Sequence, residues 1–195
     1  MLGLMLAAGD SRRFGGDKRQ ALLADGRSLL NASLHNAIGV FSPLILVLRA
    51  QDDPVALGVP AQVQVVRNLQ AAQGMASSLV AGMRMLSAQA ISGPDAVAIL
   101  LADMPCIERT TLNNLAALAS PESIVVPSYQ GQRGHPVIFG RAFWPELMSL
   151  AGDAGAREIV RQHRECVKVL QVQDPGVCID IDDSEALAGL WSATT

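Results

Sequence analysis

The feature that most constrains this fold is a short apolar run that recurs along the chain between glycine-rich or polar stretches. The first, residues 2–7, is unbroken and stops at Ala8-Gly9; others occupy 44–48, 63–66, 96–101, 123–126, 136–139 and 167–172. Runs of this length read as strands covered on both faces. Between several of them apolar residues fall near the 3.6 period: Leu29, Leu30, Leu34 and Ile38 within 28–38, and Leu79, Val80, Met83 and Leu86 within 77–86. Further helices are expected over 110–118, 141–150, 155–163 and 184–191, the last opened by Asp183 ahead of Ser184-Glu185. Strand alternating with helix predicts an α/β fold with a mostly parallel sheet, because parallel neighbours need a crossover and helices supply it. Ligands of such folds bind beyond the carboxyl ends of the strands, so chemistry is expected just after each run.

At 195 residues and 50% apolar content, the chain fits one domain, 1–195, that buries a core without disulfides or metal. The net charge of -3, with no block of basic residues, argues against nucleic acid as a partner. Cys106, Cys166 and Cys178 are odd in number and lack Cys-x-x-Cys spacing, which disfavours a disulfide framework or zinc knuckle and points to a reducing cytoplasm. No apolar run approaches the roughly 20 residues that span a bilayer, and no basic segment precedes the first run, so neither membrane association nor export is expected. There is no internal repeat or low-complexity linker. The oligomeric state is left between a monomer and a weak homodimer.

Three segments carry chemistry. Residues 6–18 form a glycine-rich turn after the first strand, holding Gly9, Ser11, Arg12, Arg13, Gly15 and Lys18. Small residues let backbone approach a ligand closely, successive N–H groups can cradle phosphate, and the cations can neutralise a triphosphate. The spacing is neither a Walker A loop nor a Gly-x-Gly-x-x-Gly fingerprint, and a loop with solvated arginines is the alternative. Residues 100–105 end the fourth run on Asp103, a carboxylate suited to Mg²⁺ and facing the expected crevice, unless it caps the next helix. Residues 178–185 contain Asp180, Asp182 and Asp183; in a strand Asp180 and Asp182 would share a face and one could complete a metal site, although acids before a helix also suit its dipole.

Two smaller signals are His135-Pro136 and the segment 152–157 with Asp153, Gly155 and Arg157, able to meet an acceptor phosphate. A structural turn is the simpler role for His135. No zinc-helix histidine spacing, Gly-x-Ser-x-Gly elbow or nucleophilic cysteine motif is present.

Taken in order, these segments resemble the MobA-like nucleotidyltransferases, and among them the molybdenum cofactor cytidylyltransferases. The family's opening Ala-Ala-Gly-x-Ser-x-Arg-Met-Gly-x-x-Lys stands here at Ala7 to Lys18, with Phe14 in place of Met. The resemblance implies a Rossmann-like three-layer α/β/α sandwich of nucleotide-diphospho-sugar transferase type. It implies that Leu6, Ala7, Ala8, Gly9, Ser11, Arg13, Gly15 and Lys18 bind the nucleotide, with Asn68, Gly74, Met75, Ser77 and Ser78 along base and ribose. Catalysis would fall to Arg13, Lys18 and Asp103, and Mg²⁺ to Asp103 and Asp182. The acceptor side would be His135, Pro136, Asp153, Gly155 and Arg157. Leu6-Ala-Ala-Gly9, where guanylyltransferases usually carry Leu-Ala-Gly-Gly, implies CTP over GTP. The acceptor implied is a phosphorylated pterin, molybdopterin, with a molybdenum hydroxylase as client. Asp183-Ser184 and Ala186 depart from the family's closing pattern but leave Asp182 in place. Guanylyl transfer, cytidylyl transfer to another phosphorylated molecule, or a non-catalytic cofactor carrier are the rival functions.

Overall fold

The structure, a computed structural model, describes residues 1–10, 14–89, 95–152 and 155–192. Its strands are β1 (Leu2–Leu6), β2 (Leu44–Arg49), β3 (Gln64–Asn68), β4 (Ala96–Leu101), β5 (Ile124–Tyr129), β6 (Gln132–Arg133), β7 (Val137–Gly140) and β8 (Val167–Gln171). Its helices are α1 (Leu29–Ala37), α2 (Met75–Gln89), α3 (Arg109–Ala117), α4 (Trp144–Ser149), α5 (Arg157–Gln162) and α6 (Ser184–Ser192). All eight strands join one sheet in the order β3-β2-β1-β4-β7-β5-β6, with β8 also paired to β5. β3, β2, β1 and β4 run parallel, as do β5 and β8, whereas β7 is antiparallel to β4 and β5.

Alternation along the strands divides the core between two faces. Leu4, Ile45, Val47, Val97 and Ile99 meet Leu79, Met83 and Leu86 of α2 and Leu147 of α4. Met5, Leu46, Leu48, Ala98 and Leu100 meet Leu30 and Leu34 of α1 and Leu112 and Leu115 of α3. The result is the expected three-layer, Rossmann-like α/β/α sandwich. Each fully buried aliphatic side chain contributes on the order of 1.5–3 kcal/mol, so the central strands are the stable frame on which the loops at their ends rest. Helix α2 lies close on the sheet: a Cβ on Gly82 would stand 2.2 Å from Leu4 Cδ1.

Local chemistry set the boundaries. Ser28 caps α1, its hydroxyl accepting from Asn31 N at 3.2 Å. β3 starts one residue later than its apolar run and continues through Arg67, which stays exposed at the sheet edge, to Asn68, which is buried with its amide satisfied by the Ser77 and Ser78 hydroxyls. β6 is a short polar strand that no periodicity announces. From the Ser128–Arg133 pair to the Val125–Ile138 pair, β5 moves three residues and the returning chain five. The extra residues form a bulge at 134–136, which turns His135 out of the ladder so that its N–H donates to Val177 O at 2.8 Å.

The strand geometry expected around Asp180 and Asp182 is corrected: residues 175–178 form a 3-10 turn, 179–182 belong to no strand, and the chain bends at Asp183. That segment is stitched to the end of β4 instead. Buried Asp174 accepts from Glu108 N and Gly176 N, and Ile181 N–H donates to Asp103 O at 3.0 Å. Among the described residues, no helix is long and apolar enough to cross a membrane.

Candidate active site

β1 lies between β2 and β4, and chain order reverses on either side of it, which makes this the switch point of the sheet. Ala7 N–H still reaches Val47 O and Ala102 N–H reaches Leu6 O; beyond them the chains diverge. They open a cleft of about 730 Å³ floored by residues 6–10 and walled by Lys18, Gly74, Met75, Ser78, Asp103, Asp180 and Asp182.

Three charges from distant parts of the chain meet in this cleft. Lys18 Nζ donates to Asp103 Oδ2 at 2.6 Å and to Asp182 Oδ1 at 3.1 Å. Burial alone would lower the Lys18 pKa, but the bonds to Asp103 and then Asp182 outweigh it and hold the ammonium above its ordinary range. Asp103 caps no helix, since α3 begins only at Arg109 with Glu108 before it. The dipole reading of the acidic segment belongs to Asp183, whose carboxylate accepts from Ala186 N at 2.8 Å. Ile181 is fully buried while its neighbours Asp180 and Asp182 both line the cleft, and of these two Asp182 reaches Lys18.

Two carboxylates converging on one cationic point fit a hard divalent ion, because oxygen donors are what Mg²⁺ selects. No group of three or more His, Cys, Asp or Glu among the described residues forms a metal cage.

Arg19, which the sequence reading passed over, lies directly behind the glycine-rich turn and is 5% exposed. Its guanidinium forks onto Asp17 at 2.6–2.8 Å and onto Asp52 at 2.5–2.8 Å, and its Nη1 also donates to Ala7 O at 2.9 Å. Asp17 is two positions away, but Asp52 is 33 away, so sequence offered little beyond the place of Arg19 next to Lys18.

Asn68 sits at the end of β3, buried, and donates to Ser77 Oγ at 2.8 Å and Ser78 Oγ at 3.0 Å while accepting from Gln70 N. It braces the turn ahead of α2 from behind; Gly74, Met75 and Ser78 reach the cleft surface. Gly74 has φ 97° and Gly15 φ 75°, left-handed conformations that favour glycine, and Gly15 lies outside the cleft lining.

Of the residues expected to meet an acceptor, His135 is half-buried and its Nδ1 is shielded without a hydrogen-bond partner. Burial lowers its pKa, against the pull of the Asp103 and Asp180 carboxylates, and Arg157 adds to the lowering. Pro136 is buried beside the bulge, Gly155 is half-buried and Arg157 is exposed at the start of α5. Ser11, Arg12, Arg13 and Asp153 lie outside the described residues.

Residues 3–167 match the model of the MobA-like NTP transferase domain, a span that includes Lys18 and Asp103 and ends before Asp182. The chain is 32% identical to purine catabolism protein PucB of Bacillus subtilis (strain 168), covering 95% of this chain and 93% of that protein. It is 28% identical, at the same coverage, to nicotine blue oxidoreductase of Paenarthrobacter nicotinovorans. The crystal structure of Rv0371c from Mycobacterium tuberculosis H37Rv superposes with a TM-score of 0.81 at 28% identity over 98% of both chains, and a complex of Rv0371c with manganese gives 0.77 at 26%. The chain belongs to the MobA-like NTP transferase family.

Proposed function

We propose that this protein is a divalent-metal-dependent cytidylyltransferase that transfers CMP from CTP to the phosphate of molybdopterin. The observation that carries the reading is the convergence of Asp103 and Asp182 on Lys18 beside the glycine-lined end of β1. The family match alone does not fix the chemistry, since one relative is named an oxidoreductase. Paired carboxylates next to a lysine favour phosphate transfer, where charge must be neutralised, over hydride transfer, where it need not be. A complex of the similar Rv0371c with manganese supports dependence on a divalent metal. The preference for CTP rests on Ala7-Ala8 ahead of Gly9, and the acceptor rests on the family resemblance. A molybdenum hydroxylase would receive the product.

In this mechanism the acceptor's phosphate oxygen attacks the α-phosphorus of CTP, a new phosphoanhydride forms, and the bond to the β-phosphate breaks to release pyrophosphate. Asp103 and Asp182 would hold a divalent ion, with Mg²⁺ the expected species, which when bound would neutralise oxyanion charge. Lys18 leaves its carboxylates for the phosphates and opposes charge on the departing pyrophosphate, joined by Arg13. Ser78, Gly74 and Met75 orient the nucleoside, with Asn68 and Ser77 bracing them, while His135, Pro136, Asp153, Gly155 and Arg157 hold the acceptor. Ser11 and Gly15 shape the phosphate turn.

The test is incubation of the purified protein and Mg²⁺ with molybdenum-loaded molybdopterin and either CTP or GTP. Formation of the cytosine dinucleotide with stoichiometric pyrophosphate is expected. Preference for GTP would overturn the nucleotide assignment, and absence of pyrophosphate exchange into either nucleotide would mark a carrier.

A further inference from the structure

Two arginines close to the cleft remain without a part in the transfer step. Arg19 is buried, and its charge is fully matched by Asp17 and Asp52, so it has no charge to spare for a ligand. Arg49, at the end of β2, directs Nη2 onto Gly9 O, and its backbone N–H donates to Asp52 Oδ2 at 2.8 Å. Asp52 therefore ties together the two residues whose guanidinium groups hold the backbone at the close of β1: Arg19 on Ala7 O and Arg49 on Gly9 O. Arg19 also fixes Asp17, the residue before Lys18, so the start and finish of the glycine-rich turn are fastened to one post.

The consequence follows from peptide geometry. The only cis bonds among the described residues precede Pro43 and Pro136, so the peptides after Ala7 and Gly9 are trans. In a trans peptide C=O and N–H point in opposite directions. A carbonyl pulled back onto an arginine turns the next N–H the other way. The N–H of Ala8 is set in this fashion, and the peptide joining Gly9 to Asp10 is turned by the same means. Drawing two carbonyl oxygens onto cations also removes partial negative charge from the surface that a polyanion approaches.

We propose that Arg19, Asp52 and Arg49 are positioning residues that orient the backbone of residues 7–10 as a polyphosphate cradle, without touching the phosphates themselves. This rests on the nucleotidyltransferase reading and adds the device that shapes its phosphate site.

Calorimetry with inorganic tripolyphosphate, a base-free probe, tests it alongside CTP, with circular dichroism to establish folding. The decisive variant is Asp52→Asn. Removing a carboxylate near a polyanion site would tighten binding if only long-range charge mattered. Loosening the post weakens it, and about a fivefold loss of tripolyphosphate affinity is expected. Unchanged or tighter binding by folded Asp52→Asn overturns the proposal. Should that variant not fold, Arg49→Gln, altered at a half-exposed position, is compared with the wild type at low and high salt. A similar weakening that persists in high salt supports positioning, whereas a weakening that salt erases marks a direct ion pair and overturns it. Wild-type protein that binds CTP but not tripolyphosphate refutes the cradle and leaves the transferase reading standing; binding of neither refutes both.

Discussion

Lys18 Nζ lies 2.6 Å from Asp103 Oδ2, although 85 positions separate the two residues. The contact joins the turn after β1 to the end of β4 across the switch point, and Asp182 completes it from the far end of the chain at 3.1 Å. A cation thus stands where two carboxylates converge, and the same carboxylates are suited to a divalent ion in the proposed reaction.

Asp103→Ala is expected to lower pyrophosphate release at least about 100-fold. The pair it breaks is 16% and 20% exposed, and Asp182 still meets Lys18, so a loss of about 1–3 kcal/mol is expected, a modest fall in melting temperature that leaves the protein folded. Side-by-side turnover and thermal melting measure this; retained turnover would remove Asp103 from the site.

His135→Gln should raise the acceptor KM by about tenfold while leaving the KM for CTP within a factor of two, because His135 is held by the backbone of Val177 and lies outside the lining of the cleft that Lys18 and Asp103 wall. Steady-state kinetics with each substrate varied in turn measures the split. An equal change in both constants would place His135 elsewhere.

Gly134→Ala should destabilise the protein by about 1–3 kcal/mol, since the new Cβ would stand 2.1 Å from Val177 O and must displace backbone. For a chain of this size that lowers the melting temperature by roughly 2–4 °C per kcal/mol. The displaced segment leads to Asp182, so turnover should fall by more than the loss of folded protein explains; equal losses would show that the segment does not position the acid.

Acid stability should depend on the Arg19 post. Its hydrogen bonds hold the Asp17 carboxyl below its ordinary value of 3.8; burial would raise Asp52, but the Arg19 fork and the Arg49 N–H outweigh that and lower it too. A depressed carboxylate pKa gives stability that is complete above the unfolded value and lost as pH falls through the folded one. Urea midpoints should therefore drop steeply below about pH 4, and less steeply in Asp52→Asn. Equal slopes in the two proteins would contradict the post.

Strand and helix order was legible because buried strands and amphipathic helices leave different periods in the chain, and Asp103 was legible because an acid at the end of an apolar run is conspicuous. The Lys18 contact with Asp103 and Asp182 was not, since sequence order says nothing about which loops meet above the sheet. Arg19 was hidden for a related reason: an arginine in a polar turn looks solvated until Asp52, 33 positions away, is seen to meet it. Asp180 and Asp182 do share the cleft side, yet what orients them is the bond from Ile181 N to Asp103 O and not a sheet ladder. Strand β6 escaped notice because two exposed polar residues carry no apolar signal.

The central claim is that Asp103 and Asp182 together hold one divalent ion beside the phosphate cradle. Electron paramagnetic resonance titration of Mn²⁺ in the presence of CTP tests it most directly, on the wild type, Asp103→Asn and Asp182→Asn. The account predicts one bound Mn²⁺ in the wild type and a loss of affinity of at least about tenfold in each variant. Wild-type binding by folded Asp182→Asn, or no Mn²⁺ bound by the wild type with CTP present, would contradict it.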